Sequence, residues 1–253
     1  MSAPAKSKVC FVTGGASGLG RATAIALARQ QYRIAVADRD EAAGRRVVEE
    51  IIGSGGEAAF FPLDVTRETD VSATIDSVVS QLGGLDRAVN CAGIEGERHV
   101  TAEYPVDEWR RVIDINLNGV FACLKYQLEA MVRLGGGAIV NVGSTASLRA
   151  VPRMSAYVSA KHALVGLTKC AALEYADKGI RVNLLCPGSF HTPMSERLYA
   201  GNLETVIART PMKRVAPPSE IADAIVWLCS DQSTFVTGAA ITVDGGKLAG
   251  IMM

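Results

Sequence analysis

The sequence predicts a single α/β unit across residues 1–253, built as a doubly wound parallel sheet with helices on both faces. Three observations carry this. Short apolar runs alternate with longer amphipathic segments from one end to the other. The first apolar run passes directly into a glycine-rich turn and then into a helical pattern. The 253 residues are 49% hydrophobic and include no polar low-complexity tract, which suits one large core.

Residues 8–13 are mostly apolar and read as a buried strand, with residues 21–30 as the helix after it. Residues 33–38 give the second strand. Helices are expected at about 41–53, 67–82, 107–134, 155–177 and 219–230, and strands at about 58–63, 86–90, 137–143, 180–186 and 239–243. The stretch 187–218 is the least regular, with room for a short helix at 203–209. Long excursions in compact units are often lids, and about 188–218 is read as a substrate lid. Ligands of open parallel sheets gather at the carboxyl ends of the strands. Asp64, Asn90, Ser144 and the Pro187-Gly188 pair all fall at such ends.

The turn Gly14-Gly-Ala-Ser17-Gly18-Leu19-Gly20 joins the first strand to its helix. Glycines there permit positive φ and close approach of the backbone to a ligand. A helix N-terminus adds free N–H groups for a pyrophosphate. The spacing is Gly-x-x-x-Gly-x-Gly, not the common Gly-x-Gly-x-x-Gly, and a glycine turn alone also suits a tight strand–helix connection. Asp38 ends the second strand, eighteen residues after Gly20. An acid there bonds the adenosine ribose hydroxyls and repels a 2′-phosphate, which favours NAD over NADP. Arg39 beside it can pair with such a phosphate, and Asp38 also has a plain reading as a helix cap.

Tyr157 and Lys161 lie one helical turn apart, and Tyr157 follows Ser144 by thirteen residues. A free phenol, with a pKa of ~10, is a poor acid–base catalyst at neutral pH. An ammonium at i+4 shares its helix face and favours the phenolate. A serine hydroxyl nearby can hold an alcohol or carbonyl oxygen against the phenol. A tyrosine and a lysine four apart also occur in helices by chance, so the pair gains weight only from its company.

Lysine plus arginine equals aspartate plus glutamate, 26 each, and no basic block occurs. Nucleic-acid and anionic-membrane partners are therefore disfavoured. No run reaches ~18 apolar residues and no leader pattern precedes the first strand, so no membrane span or signal peptide is expected. Cys10, Cys91, Cys123, Cys170, Cys186 and Cys229 form no Cys-x-x-Cys motif and read as reduced residues of a cytoplasmic protein. His99, His162 and His191 lack metal-ligand spacing, and no metal is expected.

Taken in order, these motifs make residues 8–246 resemble the short-chain dehydrogenase/reductase family in its single-domain form. The family's glycine motif corresponds to Thr13 through Gly20, its adenine-side acid and apolar residue to Asp64-Val65, and its Asn-Asn-Ala-Gly motif to Asn90-Cys91-Ala92-Gly93. Its catalytic tetrad corresponds to Asn116, Ser144, Tyr157 and Lys161, and its Pro-Gly motif with downstream threonine to Pro187-Gly188 and Thr192. Val236-Thr-Gly and Asp244-Gly-Gly match its closing signals.

The resemblance implies a Rossmann-type sheet and an NAD(H)-dependent oxidoreductase interconverting a secondary alcohol and a ketone. In that scheme Tyr157 is the general acid–base, Lys161 lowers its pKa and holds the nicotinamide ribose, and Ser144 bonds the reacting oxygen. Asn116 supports a water chain from Lys161. Gly14, Ser17, Gly18, Leu19, Gly20, Asp38, Asp64, Val65, Asn90, Ala92, Gly93, Pro187, Gly188 and Thr192 line the cofactor, Asn90 against its ribose and Thr192 at its carboxamide. Family members commonly assemble as tetramers, and a homotetramer is expected. An NADP(H)-dependent ketoreductase of the 3-oxoacyl type and a non-catalytic NAD sensor are the alternatives.

Three positions depart from the family pattern: Cys91 replaces a bracing asparagine, Gly143 replaces a serine, and Tyr157-Val-Ser-Ala-Lys161 replaces the commoner Tyr-x-Ala-Ser-Lys. None removes a reacting group. Ile94, Leu148, Met154, Phe190 and Met194, with Ser144, are candidate substrate contacts and suggest a partly apolar pocket for a small or medium alcohol or ketone. Arg149 is open between a substrate carboxylate and a subunit or solvent contact. The apolar end, residues 247–253, is read as packing at a subunit interface or reaching a neighbour's site.

Overall fold

The protein is described by a computed structural model over residues 7–192, 194–196 and 201–250. Its seven strands are β1 (Val9–Thr13), β2 (Arg33–Asp38), β3 (Glu57–Pro62), β4 (Arg87–Asn90), β5 (Gly137–Val142), β6 (Ile180–Pro187) and β7 (Ala240–Val243). They form one sheet in the order β3-β2-β1-β4-β5-β6-β7, every neighbouring pair parallel. The predicted doubly wound parallel sheet is the observed fold. The chain moves outward from β1 to β3, then returns past β1 to β4. This reversal leaves a crevice at the carboxyl ends of β1 and β4, where such sheets bind ligands.

The helices are α1 (Gly18–Arg29), α2 (Glu41–Gly53), α3 (Glu68–Leu82), α4 (Val106–Ile113), α5 (Gly119–Leu134), α6 (Ser155–Tyr175), α7 (Leu203–Ala208) and α8 (Pro218–Cys229). β1, β2, β4, β5 and β6 are buried along most of their length, which is why they read as continuous apolar runs and not as alternation. Alternate residues feed two cores. Phe11, Ala88 and Ile139 meet the α3 and α5 side; Val12, Ile34 and Val140 meet α1, α2 and α8. Each fully buried Val, Ile or Phe among these contributes about 1.5–3 kcal/mol of transfer free energy.

Two element boundaries differ from expectation. α1 begins at Gly18, not at 21, because Ser17 is extended (φ −150°) and the glycine turn itself winds into the first helical turn. The single helix expected at 107–134 is two, α4 and α5, joined by a π-turn at Asp114–Asn118. Apolar periodicity is continuous through such a turn and does not reveal it. Within the expected lid, α7 and the turn at 194–196 are described; residues 193 and 197–200 lie outside the described residues, as do 1–6 and 251–253 at the two ends.

Candidate active site

The glycine turn is built by close approach. Gly14 has φ +65°, and a Cβ on it would stand 2.9 Å from the backbone of Ala92. A Cβ on Gly20 would collide with the Gly14 carbonyl. Thr13 ties the same corner together, its hydroxyl accepting the N–H groups of Cys91 (3.1 Å) and Ala92 (3.2 Å). The result is a side-chain-free cradle at the N-terminus of α1, the geometry that suits a pyrophosphate. Thr192 closes on it, its methyl 3.4 Å from where a Gly18 Cβ would lie.

At the β2 end of the cleft, the Asp38 carboxylate accepts the backbone N–H groups of Ala16 and Asp40, both at 3.0 Å. These two bonds fix it at the tip of β2, facing the cleft. Asp64 accepts both the hydroxyl (2.7 Å) and the N–H (3.0 Å) of Thr66. The hydroxyl bond, foremost, holds its carboxyl below the ordinary range.

Asn90 does something other than expected. It is 1% exposed and does not line the cleft. Its amide exchanges bonds with Gln127 (2.8 and 3.0 Å) and donates to Asn141 (2.9 Å), which donates in turn to Thr168 (3.0 Å). Asn90 thus braces β4, β5 and two helices from inside the sheet, the role expected of the asparagine that Cys91 replaces. Cys91 faces the cleft instead, and burial pushes its thiol up to about 12.

Ser144, Tyr157 and Lys161 open on one cleft. Ser144 leaves β5 in extended backbone and caps the 3₁₀ turn Thr145–Ser147. Its hydroxyl accepts the Ala146 N–H at 3.1 Å, and its own N–H donates to the Ser147 hydroxyl at 3.1 Å. Gly143 is small for a reason. A Cβ there would stand 2.7 Å from that Ser147 hydroxyl and 3.3 Å from the Cys186 sulfur. α6 carries Tyr157 and Lys161 on one face, with the ammonium 5.7 Å from the phenol ring centre. Lys161 is 5% exposed and donates to the Val142 carbonyl at 2.8 Å. Burial lowers its pKa to about 8.

Asn116 sits in the π-turn, fully buried. Its amide donates to the carbonyls of Ile94 (3.0 Å) and Val112 (2.9 Å), and its oxygen accepts the Ile94 N–H (3.1 Å). Both donors are therefore spent on backbone, and the side chain acts as a brace; any part it has in a water chain does not come from that NH₂ group. Gly93 keeps the gap narrow. A Cβ on it would lie 2.7 Å from the Asn116 oxygen and 3.7 Å from the Lys161 nitrogen.

The cleft encloses about 1070 Å³. Gly14, Ser17, Gly18, Leu19, Gly20, Asp38, Asp64, Val65, Ala92, Gly93, Pro187, Gly188 and Thr192 all line it. Of the substrate-wall candidates, Ile94, Met154, Phe190 and Met194 line it, but Leu148 does not. Leu148 closes the 3₁₀ turn and faces outward, 43% exposed. Periodicity cannot orient a residue after so short a turn. The facing loops are zipped together where the His99 N–H donates to the Arg153 carbonyl at 3.1 Å. Arg98, Arg209 and Lys247 also line the cleft, and the sequence named none of them individually as a contact in this site; Lys247 was read only as part of an end that packs at a subunit interface or reaches a neighbour's site.

Residues 14–247 match the family model described as enoyl-(acyl carrier protein) reductase. The chain belongs to the short-chain dehydrogenase/reductase family. It is 42% identical over 245 residues to a cyclohexanol dehydrogenase of Acinetobacter sp. (strain SE19), covering 97% of this chain and 96% of the relative. It is 44% identical over 246 residues to a 2,5-dichloro-2,5-cyclohexadiene-1,4-diol dehydrogenase of Sphingobium indicum, covering 96% and 97%. A variant of actinorhodin polyketide ketoreductase, solved with NADPH, superimposes with a TM-score of 0.92 at 35% identity, covering 97% of this chain and 98% of that one. This short-chain dehydrogenase/reductase is an oxidoreductase of the alcohol–ketone type and a user of a nicotinamide cofactor.

Proposed function

We propose that this short-chain dehydrogenase/reductase is NAD(H)-dependent and interconverts a ring secondary alcohol and its ketone, with Tyr157 as general acid–base. The observation that carries the reading is the opening of Ser144, Tyr157 and Lys161 onto the same cleft as the side-chain-free glycine cradle. When bound, the nicotinamide takes or supplies the hydride. The chain's own residues bind, orient and move the proton. The Gly14–Gly20 turn holds the pyrophosphate, and Gly188 with Thr192 holds the carboxamide end.

The Ser144 oxygen already accepts the Ala146 N–H, so its O–H is the group offered to the substrate oxygen. That bond sets the substrate oxygen against Tyr157 and stabilises charge developing on it. In alcohol oxidation Tyr157 as phenolate takes the hydroxyl proton; in ketone reduction the phenol returns it. The Lys161 charge one turn away favours the phenolate. Such acid–base help is worth ~10²–10⁴-fold.

The fixed carboxylate of Asp38 supports NAD, because it stands where a 2′-phosphate would bring like charge. The second reading, an NADP(H)-linked ketoreductase, draws on Arg39 at the same end of the cleft. The ring-alcohol reading is supported by the apolar walls Ile94, Met154 and Phe190 and by the two cyclic-alcohol relatives. Phe121, Leu173 and Phe235 are exposed apolar side chains and support self-association as a homotetramer. Free cysteines throughout, and no helix among the described residues long and apolar enough to cross a membrane, support a cytoplasmic location.

Absorbance at 340 nm, with cyclohexanol and NAD or NADP and with cyclohexanone and NADH or NADPH, tests the reading. Turnover with NAD(H) well above NADP(H) is expected. Saturable NADH binding with no turnover of any secondary alcohol or ketone would count against it.

A further inference from the structure

The cleft has two electrostatically different ends. Its lining acids, Asp38 and Asp64, both stand at the adenosine end. At the substrate end the charged lining residues are all cations: Lys161 beside Tyr157, and farther out Arg98, Arg149, Arg209 and Lys247. Three of these come from three separate elements. Arg149 follows the Ser144 turn after β5. Arg209 follows α7. Lys247 lies in the turn after β7.

The architecture brings those elements together. β6 pairs with β7 through Pro187 and Val243, and a Cβ on Gly188 would overlap Asp244 at 2.6 Å. The turn after β7 is therefore pressed against the strand end that carries Ser189. The Lys247 ammonium donates to the Ser189 hydroxyl at 3.0 Å, and Ser189 is buried. The segment after α7 packs on the same turn, the Met212 N–H donating to the Gly245 carbonyl at 3.2 Å.

Lys247 is partly buried, and no ion pair to it is formed among the described residues. Burial, then the Arg149 charge, hold its pKa down; Asp244 opposes them and Arg209 adds to them. The Asp244 carboxylate is itself taken up by the N–H groups of Gly246 and Leu248, both at 2.9 Å. Lys247 thus has two cations and one already engaged anion about it.

Lys247 is not placed for the pyrophosphate. β7 lies four strand positions from β1, about 19 Å at the usual spacing, and the pyrophosphate cradle is at β1. It stands instead on Ser189, next in sequence to Gly188, with Arg149 and Arg209 near enough to act on its charge.

We propose that the substrate carries an anionic group, a carboxylate or an equivalent monoanion, which binds Lys247 with Arg149 and Arg209 while its alcohol or ketone carbon faces Ser144 and Tyr157. This rests on the alcohol–ketone reading above and adds a charge requirement to it. A neutral ring alcohol would leave the Lys247 ammonium partly desolvated without a counterion.

Calorimetric titration of the NADH-loaded protein with cyclohexanecarboxylate and with cyclohexanecarboxamide tests the charge independently of turnover. The acid is expected to bind at least roughly tenfold more tightly, with an affinity that falls as salt rises. Lys247→Met is expected to erase the preference and Lys247→Arg to keep it. Equal affinities for acid and amide, no detectable binding of the acid, or a preference unchanged in Lys247→Met would overturn the proposal. Turnover of 4-hydroxycyclohexanecarboxylate is read separately. An intact acid preference without turnover of any alcohol would count against the reaction and leave the anion site standing.

Discussion

Asn116 and Ile94 are bonded in both directions, amide to carbonyl at 3.0 Å and backbone N–H to amide oxygen at 3.1 Å. This pair of hydrogen bonds fastens the loop after β4 to the π-turn, directly beside Gly93 and Lys161. Asn116→Ala removes three hydrogen bonds of a buried side chain, at about 1 kcal/mol each. A loss of about 2–4 kcal/mol is expected by urea unfolding, together with a fall in kcat from the displaced Gly93–Ile94 wall. Unchanged stability would show that the loop is held by other contacts.

Lys161 gives a pH signature. Its folded pKa, about 8, lies below the ordinary 10.5. The unfolded chain therefore binds more protons between those values, and stability rises with pH there. Below about 8 the buried ammonium destabilises the apo-protein; above about 10.5 the cost is gone. Lys161→Met is expected to be more stable than the wild type near pH 7 by a few kcal/mol at most, with the gap narrowing from pH 8 to 10.5. Its turnover is expected to be lost. A stability gap that does not change over that window would contradict the depressed pKa.

Asp38→Ser removes the fixed carboxylate from the tip of β2. The ratio of kcat/KM for NAD to that for NADP is expected to fall about 100-fold, the scale of a relieved like-charge contact. Parallel steady-state measurements with the two cofactors read it directly. An unmoved ratio would pass the selecting role to Arg39 or elsewhere.

Gly143→Ser restores the family's commoner residue but places a Cβ 2.7 Å from the Ser147 hydroxyl that anchors the Ser144 backbone. A drop in kcat/KM of about tenfold or more is expected. Adding Ser147→Ala should recover part of it, a non-additive pair in a double-mutant cycle. Strict additivity would mean that the two positions do not compete for space.

The fold was legible because it depends on patterns that are local. Continuous apolar strands, amphipathic helices and the glycine turn each leave a mark over ten to fifteen residues. The cleft-lining glycines, Asp38, Ser144 and the i+4 pair of Tyr157 and Lys161 were legible for the same reason. What escaped depends on side-chain direction or on contacts distant in sequence. Asn90 turns inward because Gln127 and Asn141, 37 and 51 residues later, complete its amide. Leu148 turns outward because a three-residue 3₁₀ turn rotates it away. Lys247 reaches the cleft only because Ser189, 58 residues earlier, meets it at the strand ends. No spacing rule anticipates such meetings.

Tyr157 is where the account is most exposed to test. Wild type and Tyr157→Phe should be compared for NADH binding by fluorescence quenching and for NAD-linked oxidation of the same alcohol at 340 nm. The expected result is binding preserved within about twofold and turnover lowered by about 100-fold or more. Turnover unchanged in the phenylalanine variant, with binding intact, would contradict the assignment of the proton to Tyr157.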